Sequence, residues 1–261
     1  MTAAGAPTLT EFDLPEAETG TPGLRGVLGR PSGDGPWPGV VVVHEAFGVT
    51  DVMRRQVERI AAAGYLALMP DLFTEGGARC VLGVFRALRA GRGRAFDDLE
   101  RARRVLAAHP EGTGRVGVLG FCMGGGFALV AAAGRGFEAS SVNYGMLPRG
   151  DLDDALAGAC PVVASYGARD RSLRGAADRI ESSLTRRGVP HDVKEYPAAG
   201  HSFLNDAPTG SAATRLLTSR ILGAGPEPES AADAWRRIEA FFGEHLGPAE
   251  HPDPASPESA G

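Results

Sequence analysis

A chain of 261 residues, 43% hydrophobic and 23% charged, has the composition of an ordinary globular protein able to bury a large core. Its net charge of −5 leaves no basic footprint for nucleic acid, and three cysteines (80, 122 and 160) without Cys-x-x-Cys spacing argue against a disulfide framework or a zinc cage. The N-terminus has neither the basic nor the apolar region of a signal peptide, and no apolar run is long enough to cross a membrane, so a cytoplasmic setting is expected.

Residues 1–9 read as a loose N-terminal segment, and residues 24–29 as an early strand. The turn formers of Pro31–Pro38 are expected to close a hairpin from it into the next strand. Gly39-Val-Val-Val-Val-His-Glu45 is a β-branched run, as in a central strand buried on both faces. Thr50 or Asp51 caps a helix carrying Val52, Gln56, Val57 and Ile60, which ends at Gly64, and residues 65–71 form the next strand. Residues 72–93, rich in glycine and arginine, read as a loop with a short helix around Val84–Leu88. From Phe96 a helical stripe runs through Leu99, Ala102, Val105 and Leu106, and Arg115–Phe121 is a strand.

Further strands are expected at 140–145, 161–167 and 191–196. Leu173, Ala177, Ile180 and Leu184 mark one helix, and Trp235, Ile238, Phe241, Phe242 and Leu246 the last. Residues 206–229 have the place of a lid or insertion, and 248–261 the composition of a disordered tail. Alternating strands and helices imply an α/β fold, a mostly parallel sheet with helices on both faces and its chemistry at the carboxyl ends of the strands.

The chemistry-bearing stretch is Val116-Gly-Val-Leu-Gly-Phe-Cys-Met-Gly-Gly-Gly126. It has the form of a nucleophile elbow, Gly-x-nucleophile-x-Gly, with Cys122 at the apex. The other reading of this stretch is a glycine turn around a structural cysteine. Asp170 follows one expected strand and His201 another, so nucleophile, acid and histidine come in the order used by α/β-hydrolases. Asp170 can alternatively cap the helix after it, and His201 can be a hydrogen-bonded loop residue. Glu45, at the end of the buried run, faces the cleft or pairs with an arginine, while His44 beside it reads as structural. The N–H groups of Ala46 and Met123 can form an oxyanion hole.

These pieces resemble the dienelactone hydrolase family of α/β-hydrolases. The matching segments are Val43-His-Glu-Ala-Phe-Gly-Val49, Pro70-Asp-Leu-Phe73, Gly117–Gly125, Tyr166-Gly-Ala-Arg-Asp170 and Gly200-His-Ser-Phe203, within one domain spanning 10–247. The resemblance implies ester or lactone hydrolysis through an acyl-thioester. Cys122 would be the nucleophile, His201 the base and acid, and Asp170 its orienting partner. Glu45 would hold the resting thiol away from His201 and help take its proton when substrate binds. Neither a metal nor an organic cofactor is implied; the partner is a small ester or lactone, not nucleic acid or membrane, and the sequence specifies no oligomeric state. Phe47, Ser202, Asn205 and Arg79 are the expected substrate-binding residues. Asn205 stands where the family's substrate-holding arginine is expected, and Arg79 is a counterpart for a second one. A silent ligand-binding protein and a redox-sensing thiol are the rival functions on the same fold.

Overall fold

The β-branched run at 40–43 becomes the middle of a sheet because only a position covered on both faces can bury every one of its side chains. In the computed structural model, which describes residues 5–247, β3 (Trp37–Val43) is buried along its whole length. The other strands are β1 (Thr8–Asp13), β2 (Arg25–Arg30), β4 (Leu66–Pro70), β5 (Gly112–Phe121), β6 (Ser140–Asn143), β7 (Val162–Gly167) and β8 (His191–Tyr196). They form one sheet in the order β1-β2-β4-β3-β5-β6-β7-β8. From β3 to β8 all pairings are parallel, whereas β1 and β2 are antiparallel additions at one edge.

The helices are α1 (Asp51–Ala62), α2 (Gly77–Ala90), α3 (Arg94–Ala107), α4 (Met123–Ala131), α5 (Leu152–Ala155), α6 (Ala176–Arg186), α7 (Ala212–Leu222) and α8 (Pro228–Leu246). Gly39 and Val116 are paired across β3 and β5, so Gly117, one residue on, points to the opposite face. A Cβ on Gly39 would press on Leu106 of α3, and one on Gly117 would press on Leu246 and Phe242 of α8. Helices therefore cover both faces. Phe96 against Phe127 (4.9 Å) ties α3 to α4 on one face, and Arg59 over the Trp235 ring (4.6 Å) ties α1 to α8 on the other. No helix among the described residues is long and apolar enough to cross a membrane.

The register sets up the site. Val43 pairs with Gly120, and Phe121 pairs with Asn143. The chain reverses its direction of sheet growth between β3 and β5, the place where open α/β sheets leave a crevice at their carboxyl ends.

Several expectations change. The loose N-terminus to residue 9 gives way to β1 from Thr8, which pairs with β2. The turn formers at 31–38 do not fold β2 back on β3, because β3 is already flanked by β4 and β5, so β2 pairs with β1 and β4. Within residues 72–93 the helix is not a short piece around Val84–Leu88 but the whole of α2 from Gly77 to Ala90, since Val84, Ala87 and Leu88 make a buried stripe and Gly91 closes it in the left-handed region. Leu173 lies on a separate 3-10 turn before α6, β5 begins at Gly112, and α5 has no counterpart in the sequence reading. Residues 1–4 and the tail at 248–261 lie outside the described residues.

Candidate active site

Cys122 stands between β5 and α4 with φ 56° and ψ −115°, a backbone that a side chain tolerates only under constraint. Two glycines supply that constraint. A Cβ on Gly120 would fall on the Gly124 carbonyl and 2.7 Å from the Gly125 nitrogen; one on Gly124 would fall on the Val43 carbonyl and 2.8 Å from the His44 oxygen. The Cys122 N–H donates to the Asn143 oxygen (3.0 Å), which extends the β5–β6 ladder past the strand. Cys122 is thereby the N-cap of α4, whose first N–H groups have no intrahelical acceptor and favour negative charge before them.

Asp170 makes the contacts that both readings of it require. Its Oδ1 accepts from the Ser172 N–H (3.0 Å) and hydroxyl (2.6 Å) and caps the 3-10 turn, while its Oδ2 meets His201 Nδ1 at 2.5 Å. Burial opposes its charge, but the bonds from His201 and Ser172 hold its pKa below the ordinary range. Burial likewise opposes a charged His201, yet Asp170 and the adjoining Cys122 sulfur prevail and push the imidazole up to about 10. The histidine loop is fixed to the end of α7 by backbone bonds on both sides of the ring: the His201 N–H donates to Leu222 (3.1 Å), and Gly225 donates to the His201 carbonyl (3.0 Å).

Glu45 lies two residues beyond Val43, as Cys122 lies two beyond Gly120, so register alone brings them side by side. The carboxylate is 2% exposed. It accepts from Ser202 Oγ (3.1 Å), from Asn205 Nδ2 on both oxygens (3.1 Å each) and from Thr209 Oγ1 (3.5 Å). Its bonds come from these donors of the histidine loop, and the Cys122 sulfur adjoins His201, so the resting contact by which the resemblance has Glu45 hold the thiol away from His201 is not made here. Burial raises its pKa above the ordinary carboxyl range against those hydrogen bonds. His44 is structural: its Nδ1–H donates to the Glu45 carbonyl (2.7 Å), and its Nε2 accepts from Leu72 (3.1 Å), which fixes the neutral tautomer.

A model of the dienelactone hydrolase family matches residues 24–246, from β2 to α8. The chain belongs to that family. A carboxymethylenebutenolidase from Rhodococcus opacus is 30% identical over 243 residues, covering 87% of this chain and 89% of that one. Two solved structures share the fold. One is a dienelactone hydrolase from Anabaena variabilis (22% identity, TM-score 0.62, 93% of this chain and 100% of that one). The other is a dienelactone hydrolase-like promiscuous phosphotriesterase, P91, from metagenomic libraries (24% identity, TM-score 0.72, the same coverage).

In this member of the dienelactone hydrolase family a cavity of about 210 Å³ opens over Cys122. Glu45, Ala46, Phe47, His201, Ser202 and Asn205 line it. α7 and the residues after it, within the 206–229 segment given the place of a lid or insertion, close the other side with Arg215, Leu222 and Ala224, none of which was singled out in the sequence. Arg79 is not brought to the site. The segment expected to carry it as a loop is helical, and Arg79 lies exposed in the first turn of α2. Asn205 does line the cavity, but its amide is committed to Glu45. Thr209 and Tyr144 were missed as site residues. Tyr144 had one signal, a Tyr-Gly pair directly after a buried strand, repeated at Tyr166-Gly167 before Asp170. Cys80 on α2 and Cys160 before β7 line no part of the cavity, and burial pushes the Cys160 thiol up to about 12.

Glu45→Gln is expected to stabilise the family member at alkaline pH. A carboxyl whose folded pKa is raised binds its proton more tightly in the folded state. Stability therefore falls as pH climbs from the unfolded value of about 4.5 through the folded one. The amide removes that loss, and Asn205 Oδ1, which has no partner, can accept its new N–H. Melting temperatures of the two proteins should coincide near pH 4 and separate in favour of the variant near pH 8.

Proposed function

We propose that this protein hydrolyses small carboxylic esters or lactones with Cys122 as nucleophile. The observation that carries this reading is His201, bonded to buried Asp170 behind it and adjoining the Cys122 sulfur in front, at the floor of one cavity. A base held by an acid beside a nucleophile on a strained turn is the arrangement acyl transfer requires. The thiol loses its proton with help from Glu45. The thiolate attacks the carbonyl carbon, and the Met123 and Ala46 N–H groups receive the oxyanion. Collapse releases the alcohol, protonated by His201, and leaves an acyl-thioester. Water then attacks that carbonyl as His201 takes its proton, and the acid departs.

The cavity supports neutral esters. Among the described residues, Arg215 is the one basic side chain lining it apart from His201, and Phe47, Leu222 and Ala224 give it apolar walls. A reducing cytoplasm suits a free nucleophilic thiol. Mixing the protein with p-nitrophenyl acetate and quenching in acid tests the reading. One acetyl group is expected on the peptide carrying Cys122, and a protein that turns over the ester without it would refute the mechanism.

Asp170→Asn should keep the Ser172 cap, because an amide oxygen also accepts. It replaces the Nδ1 partner by a donor, however, and so selects the wrong tautomer of His201. Ester turnover is expected to fall roughly 10²–10³-fold. NMR titration should show the His201 pKa dropping from about 10.

A further inference from the structure

The row of strand ends holds a third polar group. Phe121 pairs with Asn143, so Tyr144 flanks Cys122 on the β6 side as Glu45 does on the β3 side. Tyr144 is wholly buried, with its ring against His201 (5.1 Å) and Phe203 (5.7 Å). Its hydroxyl completes no hydrogen bond in this geometry, and the acceptors beside it are the Glu45 carboxylate and the Cys122 sulfur. An unpaired buried hydroxyl is destabilising, and phenylalanine would fill the same space without it.

The backbone is also strained there. Among the described residues, the non-glycine residues with positive φ are Cys122 (56°), Tyr144 (41°) and Ser202 (58°), and Ser202 donates to Glu45. Strain collected at one point, with an uncommitted donor in it, points to a task in the reaction.

Resting on the cysteine-nucleophile reading, we propose that the Tyr144 hydroxyl is the donor that holds the Cys122 thiolate once the thiol has lost its proton. Glu45 draws on Ser202, Asn205 and Thr209 and, while charged, competes with the sulfur for the phenol; once Glu45 is protonated, the thiolate is the charged acceptor left beside that O–H. The charged and titratable groups around that sulfur are Glu45 from the β3 end and His201, with Asp170 behind it, from the loop after β8. Arg215 of α7 lies in the same cavity wall. Burial, with the charges of Glu45 and Cys122, holds the phenol far above its ordinary range, so it stays protonated. The thiol turns from His201 toward Glu45, its neighbour in register, and its proton passes to that carboxylate, giving a neutral acid and a thiolate. Tyr144 keeps its own proton and only rotates its O–H toward the sulfur. When the sulfur is acylated, the bond is released.

Tyr144→Phe tests this through the pH dependence of Cys122 alkylation by iodoacetamide, followed on the Cys122 peptide by mass spectrometry. The midpoint should rise by about one pH unit, tenfold less thiolate at a given pH, with no fall in melting temperature. Site-specific 3-fluorotyrosine at 144, a stronger donor of nearly the same shape, should move the midpoint down. A midpoint unchanged in both proteins overturns the proposal. Alkylation reads the sulfur without any substrate. A parent protein that hydrolyses no ester while both midpoints shift would thus overturn the functional reading and leave this one standing.

Discussion

Cys122→Ala should lower kcat for p-nitrophenyl acetate by about 10⁴-fold or more while leaving the protein folded. The argument lies in how little the sulfur does for the fold. Its neighbours hold their positions through backbone groups, through the Asn143 carbonyl that receives the Cys122 N–H and through the glycines that pack on β3 and β6. Alanine keeps all of these. On the proposed mechanism only the nucleophile goes, and a base without a nucleophile returns little beyond binding and the oxyanion hole. Cys122→Ser restores an attacking atom, but Glu45 and His201 then face a hydroxyl far harder to deprotonate than a thiol, so it should fall well short of the parent. Steady-state hydrolysis and thermal melts on the three proteins decide the matter. Turnover by the alanine variant near the parent's rate would remove Cys122 from the mechanism.

Gly124→Ala should have the largest effect on stability, a loss of about 4 kcal/mol or more. The added carbon would fall on the Val43 carbonyl and within 2.8 Å of the His44 oxygen, both backbone atoms of the sheet's centre. No rotamer relieves such an overlap, so α4 must lift off β3 and take the elbow with it. The sign is informative because alanine is otherwise the better helix former. At Gly83, in the middle of α2 with nothing within 4 Å of a new Cβ, the same change should add about 0.5–1 kcal/mol. Urea unfolding of the two variants measures opposite shifts if packing, not propensity, dictates glycine at the elbow.

What the residues disclosed in advance was whatever is written locally. The buried β-branched run, the elbow glycines, and the acid and histidine just past strand ends all advertise their places within a few positions of chain. Thr50 capping α1 is legible for the same reason, as its hydroxyl accepts from Met53 three residues on. The failures share a cause too. β1 alternates only weakly and is largely exposed, so its identity as a strand comes from pairing with β2. The glycines around α2 suggested a loop because the stripe that makes it a helix is short and its caps are themselves glycines. Asn205 was assigned to substrate by position, yet it belongs to Glu45, a residue 160 positions away that no local pattern connects to it. Tyr144 becomes visible only when three strand ends are laid side by side in register.

The backbone bonds on either side of His201 bear on traffic through the site. α7 walls the cavity, and its last residue, Leu222, is the one that receives the His201 N–H, while Gly225 just beyond donates back to the His201 carbonyl. A Cβ on Gly200 would fall on the Gly223 carbonyl, so the two segments are in direct contact as well. That end of α7 can move only with the His201 loop or by breaking these bonds. The wall over Cys122 and the imidazole beside it are thereby one mechanical unit, and any change of cavity width at that end is also a displacement of His201.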